Sequence, residues 1–170
     1  MGPRIAMALA LLAMAGGCDR KAPAEEAAEN ARAVEMVEAA QRRKPPPVPL
    51  RPEPITSADL QANGLSGAGC AFYPEGAAAT DPVLHTDATR AVLKVDGALI
   101  QLASDNGSGE LPYATREHYV GKAFDLRLAK DPGEGVPAGE EAMRWAGSVT
   151  VRDSYQRPVY AVRGSLECGA

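Results

Sequence analysis

The chain has 170 residues, with eighteen Lys/Arg against twenty-two Asp/Glu and a net charge of −4 at neutral pH. The balance is uneven: residues 18–55 carry seven basic and seven acidic side chains, whereas residues 56–170 carry ten basic and fifteen acidic, net −5. A mildly acidic C-terminal domain argues against a nucleic-acid partner, which needs basic stripes, and permits a cationic protein partner, since complementary fields speed encounter, although such a charge is also ordinary for a soluble domain.

At the N-terminus, Met1-Gly2-Pro3-Arg4 precedes an apolar run from Ile5 to Met14 and the small residues Ala15-Gly16-Gly17. A positive start, a short apolar core and small residues before a cut site describe a secretory signal peptide over 1–17. The run falls short of the roughly 20 apolar residues that span a bilayer. Cys18 directly after the small residues resembles the bacterial lipobox. That resemblance implies an acylated Cys18 as first residue of the mature chain, tethered by lipid to the inner or outer membrane and facing the periplasm. Several buried acyl chains, at about 0.8 kcal/mol per CH2, make such an anchor effectively permanent.

Two further cysteines remain, Cys70 and Cys168. An even pair in an oxidising compartment reads as a disulfide. A metal site is the rival, but His85 and His118 stand apart in sequence and no Cys-x-x-Cys or His-x-x-x-His accompanies them.

Residues 18–54 read as a linker. Pro23 sits at a first turn with Glu25 and Glu26 behind it, and Arg42, Arg43 and Lys44 lie at the far end, as a helix dipole prefers. Glu38 and Arg42 have the i,i+4 spacing of a favourable pair. Six prolines between Pro45 and Pro54 then stop the helix and favour polyproline II, a semi-rigid spacer.

The folded domain is expected over 55–170. Thr56-Ser57-Ala58-Asp59 has the form of a capping box, with Ile55 and Leu60 at the staple positions and Asn63-Gly64 as a stop. Strands follow. Leu65 to Tyr73 ends in the turn Tyr73-Pro74-Glu75-Gly76, and Val83–Thr86 is a short second run. Arg90–Val95 and Ala98–Leu102 flank Asp96-Gly97, the signature of a two-residue hairpin. Phe124, Leu126 and Leu128 share one face. So do Met143, Trp145, Gly147, Val149 and Val151, and so do Tyr160, Val162, Gly164, Leu166 and Cys168. The pattern predicts a mainly β fold, an antiparallel barrel or sandwich, with a short N-terminal helix. Cys70 near the first strand and Cys168 in the last would fasten the two ends of the sheet.

Catalytic motifs are weak. Gly64-Leu65-Ser66-Gly67-Ala68 departs from Gly-x-Ser-x-Gly. Glu140 and Glu141 are adjacent, so on a strand they point to opposite faces. Asp105-Asn106-Gly107-Ser108-Gly109-Glu110 departs from the spacing of a calcium-binding EF-hand loop. The expectation is a non-catalytic domain with no cofactor and no metal. The loop 104–113 is the expected contact surface, because binding residues concentrate on loops carried by a rigid sheet. Ser108, Gly109, Glu110 and Tyr113 are its candidate partner-binding residues.

Cys70, Asp96-Gly97, Ser108-Gly109-Glu110-Leu111-Pro112-Tyr113 and Cys168, together with the lipobox, resemble the C-type lysozyme inhibitor lipoproteins. The resemblance, over roughly 65–168, implies a small β-barrel, a disulfide from first strand to C-terminus, and a Ser-Gly…Tyr loop that enters a lysozyme-like enzyme. The sequence thus leads to an envelope lipoprotein with a binding domain, inhibiting such a hydrolase, or alternatively to a structural or assembly lipoprotein of the envelope.

Overall fold

The structure, a computed structural model, describes residues 22–76 and 81–170. Cys18 and the signal peptide expected over 1–17 lie outside the described residues. The chain divides into two compact units, Met1–Lys44 and Pro45–Ala170.

The described part of the first unit is helix α1, Pro23–Arg42. Pro23 occupies the first turn with Glu25 and Glu26, and Arg42 closes the last. Arg42 Nη2 donates to Glu38 Oε2 at 2.6 Å. None of its residues is buried. Its apolar positions are mostly alanines, too small to form a seam of their own.

The second unit begins with an extended strap rather than with the first helix. Residues 45–54, expected as a spacer, are fastened to the domain. Leu50 N–H donates to Val159 O at 2.9 Å, Glu53 N–H to Lys94 O at 2.7 Å, and Ile55 N–H to Pro82 O at 2.7 Å. Helix α2 follows at Ser57–Ala62. Its capping box is complete: Asp59 N–H donates to Thr56 Oγ1, and Thr56 N–H donates back to Asp59 Oδ2 at 2.9 Å. Lys94 also donates to Asp59, and with the Thr56 bonds it holds that carboxyl at about 2. Ile55, the staple residue, is fully buried.

Nine strands then form among the described residues: β1 Gly69–Pro74, β2 Leu84–Thr86, β3 Arg90–Val95, β4 Ala98–Ser104, β5 His118–Val120, β6 Phe124–Lys130, β7 Val136–Pro137, β8 Ala142–Asp153 and β9 Pro158–Gly169. The hydrogen-bonded order is β6-β5-β4-β3-β2-β1-β9-β8-β7, and β6 also pairs with β8. That last pairing returns the sheet to itself. The result is a closed eight-stranded antiparallel barrel with the two-residue β7 added beside the first part of β8. The barrel alternative of the sequence pattern is the one realised. Between β3 and β4, Asp96 (φ 49°) and Gly97 (φ 74°) are both left-handed, as the tight hairpin predicts.

The interior is filled by side chains. Phe72, Leu84, Leu93, Leu102, Leu126 and Leu166 are fully or almost fully buried, with Tyr119, Val149 and Val151 between them. Eight strands enclose just enough width for such a packed core. Gly164 makes room for it: a Cβ there would lie 2.1 Å from Tyr73 O and 2.8 Å from the Phe72 ring.

The Cys70–Cys168 disulfide is formed. The two residues are direct partners in the β1–β9 register. Both are buried, at 2% and 0% exposure. The bond lies inside the barrel, across the pair where first and last strands meet.

Candidate functional site

The end of the barrel that carries the disulfide is covered by the β4–β5 connection, residues 105–117. It is an ordered cap rather than a free loop. Ser108 N–H and Oγ both donate to Asp105 O, at 3.0 and 2.7 Å, and Gly107 N–H donates to Asp105 Oδ1 at 2.9 Å. Glu110 and Arg116 form an isolated antiparallel bridge, and their side chains pair at 3.3 Å. Between them the chain turns through a 3-10 segment, Pro112–Ala114.

Two residues root this cap. Leu111 is 6% exposed and belongs to the core cluster; Thr115 is fully buried. Leu111 N–H donates to Thr115 O at 2.9 Å. Thr115 Oγ1 donates to Pro112 O at 2.9 Å and lies 3.4 Å from Cys70 Sγ. The cap therefore rests on the disulfide itself. From below, the buried Tyr119 hydroxyl accepts from Arg116 N–H at 2.8 Å and donates to Asp87 O at 3.1 Å.

The tip is strained. Tyr113 (φ 58°, ψ 36°) and Ala114 (φ 58°) are consecutive left-handed residues, and neither is glycine. Each such residue costs about 1–2 kcal/mol. Tyr113 is 37% exposed, yet its hydroxyl donates to Glu141 O at 2.8 Å, joining the cap to the β7–β8 connection.

The four loop residues chosen from sequence are thus placed unequally. Glu110 (side chain 61% exposed) and Tyr113 stand at the surface. The Ser108 hydroxyl is committed to its own turn. Gly109 is exposed, and a Cβ there would meet only the movable Glu117 carboxylate, at 2.5 Å. Cys70 and Cys168, joined as expected, stand beneath the cap.

Sequence reasoning missed a clamp at the root of this cap. His118 Nδ1 lies 2.9 Å from Asp105 Oδ2, and His118 Nε2 lies 2.5 Å from Asp125 Oδ2. The His118 side chain is 13% exposed. Burial disfavours its charged form, but the two carboxylates outweigh burial and raise its pKa above the usual value. Asp105 is correspondingly lowered by His118 and by Gly107 N–H. Both ring nitrogens face carboxylates, so His118 when protonated cross-links Asp105 to Asp125. The signal was present in the hairpin register: His118 opposes Arg127 across β5–β6, which puts Asp125 on the diagonal within side-chain reach.

His85 does not join this cluster. It lies on β2, and burial lowers its pKa. Among the described residues, no group of three His, Cys, Asp or Glu side chains is arranged to hold a metal ion.

Comparison with known proteins gives one positive result. A family model described as a domain of unknown function, DUF6692, matches residues 10–146, a span that includes α1 and the strap and ends in β8. No curated protein and no solved structure matches the chain. Since the family model spans well over half of the sequence, the chain belongs to the DUF6692 family.

Proposed function

We propose that this protein is a lipid-anchored envelope protein of a bacterium, tethered through Cys18, and that its barrel is a non-catalytic binding domain. The observation that carries this reading is the buried Cys70–Cys168 disulfide. Such bonds form and persist in oxidising compartments, the destination that the leader at 1–17 specifies. A side-chain-filled barrel leaves binding to its surface, and the disulfide-seated cap presents exposed contact groups there, Tyr113 and Glu110.

Within this reading, Tyr113 and Glu110 make the contact, and a cationic partner such as a lysozyme-like hydrolase is the target. Tyrosine supplies large contact area at low entropy cost, and Glu110 supplies the charge that a basic enzyme meets. Ser108 serves the shape of the cap.

Anchoring is tested by growth with radiolabelled palmitate. The native chain should take up label and partition with membranes, and Cys18→Ala should do neither. The contact is tested with purified Cys18→Ala chain and lysozyme on cell-wall substrate. Inhibition that Tyr113→Ala weakens by tenfold or more, and Ser108→Ala barely changes, supports the reading. Full hydrolysis at micromolar excess removes lysozyme as the target.

A further inference from the structure

At the barrel end opposite the cap, the strap bridges an open cleft of about 750 Å³. Its floor and walls are apolar: Val95, Ile100, Phe124 and Val159 from the barrel, with Tyr155 from the β8–β9 turn. The strap contributes Pro46, Val48 and Pro49.

The cleft exists for a reason written in the strap. Pro45, Pro46, Pro47 and Pro49 have no backbone N–H, so this stretch cannot zip onto a neighbouring strand as a further ladder. It is held at two points instead. Arg157 Nη1 donates to Pro45 O at 2.5 Å, and Leu50 N–H donates to Val159 O. Between these points, polyproline backbone is stiff enough to span without collapsing. Val48 is left 78% exposed over the gap. The size falls within the range of small-molecule sites, which are mostly apolar with a few polar groups at the mouth.

Four charged side chains line the cleft: Arg51, Asp96, Asp153 and Arg157. Two are consumed within the protein. Arg157 donates to Asp153 through Nε at 2.8 Å and Nη2 at 2.6 Å, and stacks 4.9 Å over the Tyr155 ring. Arg51 and Asp96 have no ion-pair partner among the described residues. The mouth therefore offers one free cation and one free anion above an apolar floor.

We infer that this cleft binds a single-chain amphiphile with a zwitterionic phosphate–ammonium head: the acyl chain lies between the strap and Phe124, the phosphate faces Arg51, and the ammonium faces Asp96. The occupant is a free molecule, not the chain's own anchor, whose thioether-linked glycerol carries no such pair of charges. The site is separate from the cap, and the reading of the cap stands or falls without it.

The test uses full-length Cys18→Ala protein and the natively lipidated protein, titrated calorimetrically with lauroyl-lysophosphatidylethanolamine below its micelle concentration. Monolauroylglycerol, with the same chain and an uncharged head, is the comparison. Saturable binding of the lysophospholipid by both proteins is expected, about fivefold tighter than monolauroylglycerol, a modest margin set by two exposed charge contacts. Arg51→Gln and Asp96→Asn should each remove most of that preference; Asn keeps the left-handed conformation that the Asp96 turn needs. Ala98→Phe, which fills the cleft from an exposed strand position, should abolish binding of both lipids while the melting temperature stays unchanged. The inference is overturned by no saturable binding, by equal affinity for the two lipids, or by binding that Ala98→Phe leaves intact. It is also overturned by binding confined to the Cys18→Ala protein, which would give the cleft to the chain's own acyl groups.

Discussion

Cys70 and Cys168 are direct partners across the β1–β9 pair, 98 residues apart in sequence and 4.0 Å between Cα atoms. They lock the seam where the barrel closes, and Thr115 of the cap rests against one of their sulfurs. Seam and cap are consequently one mechanical unit.

Replacing both cysteines by alanine should destabilise the domain by about 4–5 kcal/mol, the chain-entropy value for a loop of this length. Urea denaturation of the double variant against the oxidised parent measures it. The cap should loosen as well, seen as faster amide exchange at Leu111 and Thr115 than at the centre of β8.

The clamp at His118 makes stability depend on pH from the alkaline side. A raised pKa in the folded state means that the protonated form is favoured by folding. Its contribution is complete below the ordinary value of 6.5 and is lost as pH rises through the folded value. Denaturation midpoints should fall across that window, and His118→Gln should flatten the slope. His118→Ala, leaving two carboxylates without their cation, should cost about 1–3 kcal/mol near neutral pH.

On the acid side the sign reverses. Asp59, Asp87, Asp105 and Asp153 all have lowered values, Asp59 about 2. Their contributions are complete above the ordinary carboxylate value of 3.8 and are lost as pH falls through the folded values. Acid unfolding followed by circular dichroism should begin below about pH 4, and Asp59→Asn should remove part of the dependence.

Gly164→Ala places a methyl group against Tyr73 O and the Phe72 ring. A carbonyl within a paired strand cannot step aside, so the expected loss is at least about 1–3 kcal/mol, the cost of an overpacked core. Thermal melts would register it directly, and a variant as stable as the parent would refute the close approach.

The strained tip offers a gain. Ala114→Gly relieves a left-handed φ of 58° at the expense of added freedom in the unfolded chain. The balance should favour the folded state by about 0.5–1 kcal/mol. If the tip makes the contact, the same change should weaken partner binding, since a more pliable Tyr113 must be ordered on docking.

Much of the barrel is legible in sequence because period-two patterning and turn chemistry act locally. Asp96-Gly97 fixes one hairpin, and Leu126–Leu128 and Val149–Val151 announce their inward face before any partner strand is known. The helix cap at Thr56–Asp59 is equally local. The cap over the barrel end is not, because its order comes from long-range supports: Thr115 on Cys70, and Tyr113 on Glu141. Glycines at 107 and 109 fix no course for the chain by themselves; Asp105 winds Gly107 and Ser108 into a tight turn, and Gly109 O is held by Glu117 N–H. The strap is a second case. Six prolines read as a spacer, whereas hydrogen bonds at Pro45, Leu50, Glu53 and Ile55 lay it along the domain. His118 was passed over because β5 is three residues long, too short to show a period, and without β5 the diagonal to Asp125 has no frame.

The ring of hydrogen bonds that returns from β8 to β6 also bears on which strand edges are left for another chain. An open sheet ends in a row of unsatisfied donors and acceptors that can template fibril growth. Beside β8 the outer strand is β7, two residues long, and one of the two is Pro137, which has no amide hydrogen to offer a neighbour's strand.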